Sequence, residues 1–218
     1  MAKNDPIKTN ILATKIIPNV SPDLAKDLEL RSGLKSLGLI TTDCDDVTYT
    51  ALDEATKMAD VEVVYAKSFY GGAANANTKL AGEIIGILAG PNPAEIRSGL
   101  NAMAAFIENE AWFVSANAEN DIVYYAHTIS RTGSYLSKVA NIAEGDSLAY
   151  LIAPPLEAVY GLDMALKAAD VRMAAFYGPP SETNFGGGLL TGSQSACKAA
   201  CDAFASAVQF VAENPTSY

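Results

Sequence analysis

The strongest constraint in this sequence is that it runs through one pattern twice. Leu52-Asp53-Glu54-Ala55-Thr56-Lys57-Met58-Ala59-Asp60-Val61 returns as Leu162-Asp163-Met164-Ala165-Leu166-Lys167-Ala168-Ala169-Asp170-Val171, 110 residues later. Upstream, Ser36-Leu37-Gly38-Leu39-Ile40 is echoed by Ser147-Leu148-Ala149-Tyr150-Leu151-Ile152 at an offset of 111 to 112. Ala13, Ile16 and Ser21 face Ala126, Ile129 and Ser134 at 113, and Phe106-Ile107-Glu108-Asn109 faces Val211-Ala212-Glu213-Asn214 at 105. Matches that keep one order along the full length mean two copies of one domain, expected at residues 1–110 and 111–218. A solenoid is disfavoured, because its units run about 20 to 50 residues and number three or more. The 218 residues therefore build two modest cores.

Each copy reads as α+β. Ile11 to Val20 is a strand rich in Ile and Val, and Ser21-Pro22-Asp23 then supplies an N-cap and a first-turn proline for a short helix ending near Gly33. Leu34 to Thr42 is a continuous apolar run, as in a strand covered on both faces. A helix is expected over Asp46 to Ala59, a strand from Val61 to Tyr65, and another from Gly82 to Ala89. Asn92-Pro93-Ala94-Glu95 has the form of a capping box, and Ile96, Leu100, Met103 and Ile107 follow as one apolar stripe. The second copy repeats this with Ser193 as cap and Cys197, Cys201, Phe204, Val208 and Val211 as the stripe. Such helices pack one face on a sheet.

Charge narrows the partners. With 25 Asp plus Glu against 15 Lys plus Arg, the net charge is -10, which disfavours nucleic acid and anionic membrane surfaces. No apolar run approaches the roughly 20 residues of a membrane span, and Met1 to Asn10 is too polar for a signal peptide. Three cysteines offer no disulfide framework, so a cytosolic chain is expected. Half of the residues are hydrophobic and only 18% charged, so surface must be hidden somewhere, and lateral assembly is the first suspicion.

Few residues carry the marks of catalysis. Cys197 and Cys201 lie within the apolar stripe and read as core, since two thiolates are too few for a zinc site. Cys44 sits between Asp43 and Asp45, whose charge would raise a thiol pKa and make it a poor nucleophile. His127 is the single histidine, and no Gly-x-Ser-x-Gly elbow frames any serine, so it reads as structural. The stretch Phe185-Gly186-Gly187-Gly188-Leu189-Leu190-Thr191-Gly192 lacks the spacing of a phosphate loop and is expected to be mobile. So is its counterpart, Gly71 to Thr78. No cofactor and no metal site are expected.

The sharpest polar constellation is Thr41-Thr42-Asp43-Cys44-Asp45-Asp46, directly after an apolar strand. Three acids in four residues repel unless a cation or backbone donors compensate. One aspartate could cap the following helix, or the cluster could hold a divalent ion or an ammonium ligand, and both readings stand. The second copy replaces it with Ala153-Pro154-Pro155-Leu156-Glu157, so any site is asymmetric between copies.

Several long segments resemble a known family. They include Ser36 to Ile40 followed by Asp45-Asp46-Val47-Thr48-Tyr49, then Gly90-Pro91-Asn92-Pro93-Ala94-Glu95 and Ser130-Arg131-Thr132-Gly133-Ser134-Tyr135-Leu136-Ser137. Pro154-Pro155-Leu156-Glu157-Ala158, Pro180-Ser181-Glu182-Thr183-Asn184 and Leu190-Thr191-Gly192-Ser193-Gln194 extend the match over nearly the whole chain. These resemble the EutL family, the ethanolamine-utilisation shell proteins of bacterial microcompartments (BMC). The resemblance implies two tandem, circularly permuted BMC domains, each a small sheet flanked by helices. It also implies a homotrimer that imitates a hexamer and packs edge to edge with other shell proteins in a microcompartment shell within the cytoplasm. Such a tile is a gated barrier rather than an enzyme, and Gly71 to Thr78 and Ser181 to Gly188 are the candidate gate loops of its central pore. The resemblance further implies ethanolamine bound in small acidic pores within each subunit, at Asp45, Asp46 and Glu83, with Phe113 and Thr183 as weaker additions. A corrinoid ligand is implied only by family analogy, with no motif behind it. The runner-up reading is a soluble sensor of small amines built from duplicated domains, and an enzyme with a carboxylate-only site comes third.

Overall fold

The computed structural model describes residues 2–69, 83–119, 121–179, 181 and 183–217. In chain order the first half contains β1 (Pro6–Ile7), β2 (Ile11–Ile17), α1 (Pro22–Asp27), β3 (Ser36–Thr42), α2 (Asp45–Met58), β4 (Glu62–Phe69), β5 (Glu83–Gly90) and α3 (Pro93–Asn109). The second half contains β6 (Phe113–Ser115), β7 (Val123–Ile129), α4 (Ser134–Ala140), β8 (Ser147–Ala153), α5 (Pro155–Ala168), β9 (Val171–Tyr177), β10 (Gly186–Gly192) and α6 (Gln194–Glu213). One antiparallel sheet runs β2-β3-β5-β4 and the other contains β7-β8-β10-β9, the same order and connectivity. Even an irregularity is repeated: pairing slips at Val63/Tyr65 in β4 and opposite Leu189/Leu190 in β9. The duplication read from sequence is thus one of three-dimensional topology.

The caps work largely as the residues suggest. The Ser21 hydroxyl accepts from the Leu24 N–H, Asn92 Oδ1 accepts from Ala94 and Glu95 at 2.9 and 3.0 Å, and Ser193 Oγ accepts from Ala196 at 3.2 Å. Glu95 departs from the capping-box pattern. Its carboxylate accepts from the Asp60 N–H at 2.8 Å, tying the start of α3 to the turn after α2 instead of to its own cap.

The glycine run at 186–192 corrects an expectation. It is not a mobile loop but the strand β10, hydrogen-bonded on both sides to β8 and β9. A Cβ on Gly187 would stand 1.9 Å from the Leu151 carbonyl oxygen, and one on Gly188 would stand 2.6 Å from that of Ala175. These glycines serve close backbone approach rather than freedom. Of the two candidate gate segments, residues 71–78 lie outside the described residues. In the other, Gly186 to Gly188 belong to β10, and the described residues before them lie outside any strand or helix.

Helices α5 and α6 cover one face of the second sheet, burying Leu162, Cys197, Cys201 and Phe204 together, so both cysteines are core residues. A larger core cluster crosses from one copy to the other, joining Val47, Leu52 and Met103 to Tyr125, Leu136 and Ile152. The N-terminal strand also crosses: Pro6 and Ile7 pair with Val114 and Phe113, which extends the second sheet to β1-β6-β7-β8-β10-β9. Lys3 to Glu213 (2.6 Å) and Asn4 to Gln209 (2.8 Å) fasten that segment to α6.

The copies differ in what they cover. Nine residues of α2 are buried, among them Asp45, Asp46, Thr50 and Asp53, against four of α5, all apolar or glycine. Helix α1 buries none, while its counterpart α4 buries Leu136, Ser137 and Ala140. Strand β2 is exposed over five of its seven residues, whereas none of β7 is fully exposed.

Candidate functional site

The apolar strand β3 delivers the chain to the head of α2. There the Thr42 hydroxyl accepts from the Cys44 N–H at 3.2 Å and bonds the Thr48 hydroxyl at 2.6 Å. Cys44 is the N-cap and makes no side-chain cap bond, so of the two readings left open for the acids, capping by Asp45 or Asp46 is not what this helix shows. Asp45 and Asp46 instead occupy the first turn, where the helix dipole favours negative charge. Asp43 is held apart, accepting from Asn10 N and Nδ2 at 2.7 Å each.

The two first-turn acids are 4% and 6% exposed. Asp46 Oδ1 accepts from the Tyr150 hydroxyl at 2.9 Å, and Asp45 Oδ1 accepts from the Asp46 N–H at 2.9 Å. Burial pushes the Asp45 carboxyl up to about 6, opposed by hydrogen bonds from Ser68 and the backbone. Burial raises Asp46 as well, and the charge of Asp45 adds to it. Cys44 is fully buried, and its thiol is raised first by that burial and then by both aspartates, so it is no nucleophile.

These carboxylates open on a cavity of about 330 Å³ at the seam between the copies. The first copy contributes Asp45, Asp46, Tyr49 and Ala66. The second contributes Tyr135, Leu136 and Val139 from α4, Tyr150 and Ile152 from β8, Tyr177 from β9, and Ser181, Thr183 and Phe185 from the following loop. No lysine, arginine or histidine is among these wall residues. A buried carboxylate pair without a basic partner is costly unless a cation enters or protons bind.

The α4 wall is held by the first copy. Asp53, buried, accepts from the Gly133 and Leu136 N–H groups at 2.7 and 2.8 Å, and Thr56 Oγ1 accepts from the Ser134 N–H at 3.1 Å. Gly133 has no room for a Cβ, which would stand 2.2 Å from Thr56 Oγ1. One carboxylate on α2 thus sets where Tyr135 and Leu136 stand.

Of the five residues expected at the site, Asp45, Asp46 and Thr183 line the cavity, and Glu83 and Phe113 do not. Phe113 is fully buried behind the wall, its ring 5.9 Å from Phe185 and 5.4 Å from Tyr125. Glu83 is buried at the start of β5, and its Oε1 has no hydrogen-bond partner among the described residues. Its carbonyl accepts from the Ser68 hydroxyl at 3.3 Å, and Ser68 in turn bonds Asp45. Burial, then the charge of Asp43, raises its pKa.

The tyrosines were missed by sequence reasoning. Tyr49 lies three and four residues from Asp46 and Asp45, on the same helix face. Tyr150 replaces Leu39 of the first copy inside an apolar strand, a mismatch that could have flagged it. Tyr135 and Tyr177 left no local sign.

His127 lies apart from this cavity, its ring parallel to Tyr125 at 5.5 Å and edge-on to Phe106 at 5.5 Å. Burial, then the charge of Lys57, pulls its pKa down to about 4, so it stays neutral and structural near pH 7. Among the described residues, no group of three or more His, Cys, Asp or Glu side chains is placed to hold a metal ion.

The class of protein is read from the fold: the BMC domain model, a building block of microcompartment shells, matches residues 36–118. That match begins at the first residue of β3, leaves β2 and α1 ahead of it, and ends just after β6. The chain is 70% identical to the bacterial microcompartment shell protein EutL of Clostridium perfringens, over 99% of this chain and all of that protein. It is 56% identical to EutL of Escherichia coli over 97% of this chain and 96% of that one. The crystal structure of the ethanolamine utilization protein EutL from Leptotrichia buccalis superposes with a TM-score of 0.94 at 72% identity, covering 99% of this chain and 100% of that one. The chain belongs to the EutL family of bacterial microcompartment shell proteins. It is a structural shell component with tandem BMC domains, and not an enzyme.

Proposed function

We propose that this chain forms a homotrimeric tile of an ethanolamine-utilisation shell, with its two domains dividing near residue 110, a gated central pore, and ethanolamine held at the seam cavity. The observation that carries the ligand is the pair Asp45 and Asp46, buried at the head of α2 in a cavity with no basic side chain among the described residues. Ethanolamine is a cation at pH 7, and its ammonium group supplies the missing charge. A charge-assisted hydrogen bond contributes about 1.5–3 kcal/mol, in keeping with weak binding at a pore that must release what it admits. The loop carrying Ser181, Thr183 and Phe185 walls this cavity, so an occupied site bears directly on a candidate gate segment. Gating then requires that the open and closed forms differ in affinity for the amine.

The trimer reading is supported by the uncovered surfaces. On α5, Leu156, Val159, Tyr160 and Met164 are exposed, and Ile11, Leu12 and Leu24 are exposed on β2 and α1. These are the counterparts of the surfaces that meet within the chain at the seam. A head-to-tail contact between chains through them generates a closed ring, whose outer edges pack against other shell proteins. Titration calorimetry tests the ligand: Asp45→Asn is expected to bind ethanolamine at least tenfold more weakly than the native chain, and an unchanged affinity overturns the assignment.

A further inference from the structure

The seam cavity is larger and more aromatic than ethanolamine needs. Ethanolamine has four non-hydrogen atoms, and at the roughly 30 Å³ that a water molecule takes in the liquid they would fill about 120 Å³. The cavity measures about 330 Å³. A primary ammonium would be satisfied by Asp45 and Asp46, which accept its N–H groups. Four tyrosines nevertheless wall the same space: Tyr49, Tyr135, Tyr150 and Tyr177, each from a different element. The rings of Tyr49 and Tyr135 form one corner, with centroids 6.4 Å apart and planes inclined by 30°. They come from opposite sides of the seam. Aromatic faces attract a cation through the ring quadrupole whether or not it carries an N–H, and walls of this kind are how proteins recognise methylated ammonium groups.

From the room, the paired carboxylates and the four rings, we infer that the cavity takes N-methylated ethanolamines, up to the quaternary trimethyl alcohol choline, with Tyr49 and Tyr135 deciding their acceptance. This rests on the reading of the cavity as an amine site and deepens it: carboxylates supply charge for the whole series, and rings replace the lost N–H donors. Tyr150 contributes a second way, since its hydroxyl is committed to Asp46 and orients that carboxylate toward the cavity wall it shares.

Calorimetry on the full chain at pH 7.5 with ethanolamine, N-methylethanolamine, N,N-dimethylethanolamine and choline tests this. Choline is expected to bind within tenfold of ethanolamine and to compete with it at the same stoichiometry. Tyr135→Leu is expected to weaken choline about fivefold and ethanolamine less than twofold. Tyr135→Phe keeps the ring and should hold choline within twofold. Ethanolamine binding with choline more than tenfold weaker overturns the inference and leaves the amine site standing. Loss of choline in Tyr135→Phe equal to that in Tyr135→Leu also overturns it, because the ring is then not what matters. If none of the four amines binds, both readings fall. The native-chain series needs no variant to fold.

Discussion

Helices α2 and α5 fill the same place in two copies of one topology and yet invert the usual rule of burial. At the common offset of 110, Asp46, Thr50 and Asp53 of α2 stand where Leu156, Tyr160 and Asp163 stand in α5. The polar face is buried and the apolar one is 40–62% exposed at Tyr160 and Leu156. The difference lies in who covers each. The second copy meets α2 with a Tyr150 hydroxyl and with the Gly133 and Leu136 N–H groups, so its polar side chains are satisfied. Among the described residues the corresponding face of α5 stays largely open, with the Phe210 ring of α6 stacked on Tyr160 at 6.5 Å. A polar seam closes inside the chain, and an apolar face is left for a seam between chains.

The comparison breaks first at assembly. If the α5 face is the seam between chains, Leu156→Asp with Tyr160→Asp should reduce the species from three chains of 22.8 kDa, about 68 kDa, to a single chain. Sedimentation equilibrium at micromolar concentration reads this directly, and a trimer that survives both changes would remove the assignment. A smaller effect sets the two aspartates against each other. Asp53→Ala strands two buried N–H groups and should cost about 2–5 kcal/mol in a denaturant titration. Asp163, exposed and paired with Lys167 at 2.5 Å, should cost within about 0.5 kcal/mol in a monomeric background when changed to Ala. Equal costs would mean that the seam is not what Asp53 holds.

The smallest effect is in pH. Asp45 is raised from 3.8 to about 6, so the folded chain binds that proton more readily than the unfolded chain does. In the ligand-free protein this stabilisation is complete below about 3.8 and is lost as pH rises through about 6. Asp45→Asn should therefore melt above the native chain at pH 7 by the equivalent of roughly 1–3 kcal/mol, and the gap should roughly halve by pH 5 and close only below about pH 3.8. Calorimetric melts at the two values check the sign. Amine affinity should move the other way, weakening as Asp45 takes up its proton.

The repeat, the tandem α+β architecture and the helix starts at Ser21, Asn92 and Ser193 were legible because each is written in local residue order. The acid pair was legible too, since Asp45 and Asp46 break the pattern that the second copy keeps at Pro155 and Leu156. What sequence could not supply was the far wall. Tyr135, Tyr150 and Tyr177 reach the acids only across the seam, and beyond the mismatch of Tyr150 with Leu39 their own stretches carry no sign of that meeting. The glycines at 186–188 misled for a related reason. Their role depends on the carbonyls of Leu151 and Ala175, on two other strands, which no reading of a lone stretch can reveal.

The strand at Pro6–Ile7 carries a consequence for how the chain is made. Its partners, Phe113 and Val114, leave the ribosome more than a hundred residues later, roughly 5 to 20 s at ordinary rates of synthesis. This strand is therefore placed only after the whole first copy has been made, and until then the first copy must hold its own four strands without it.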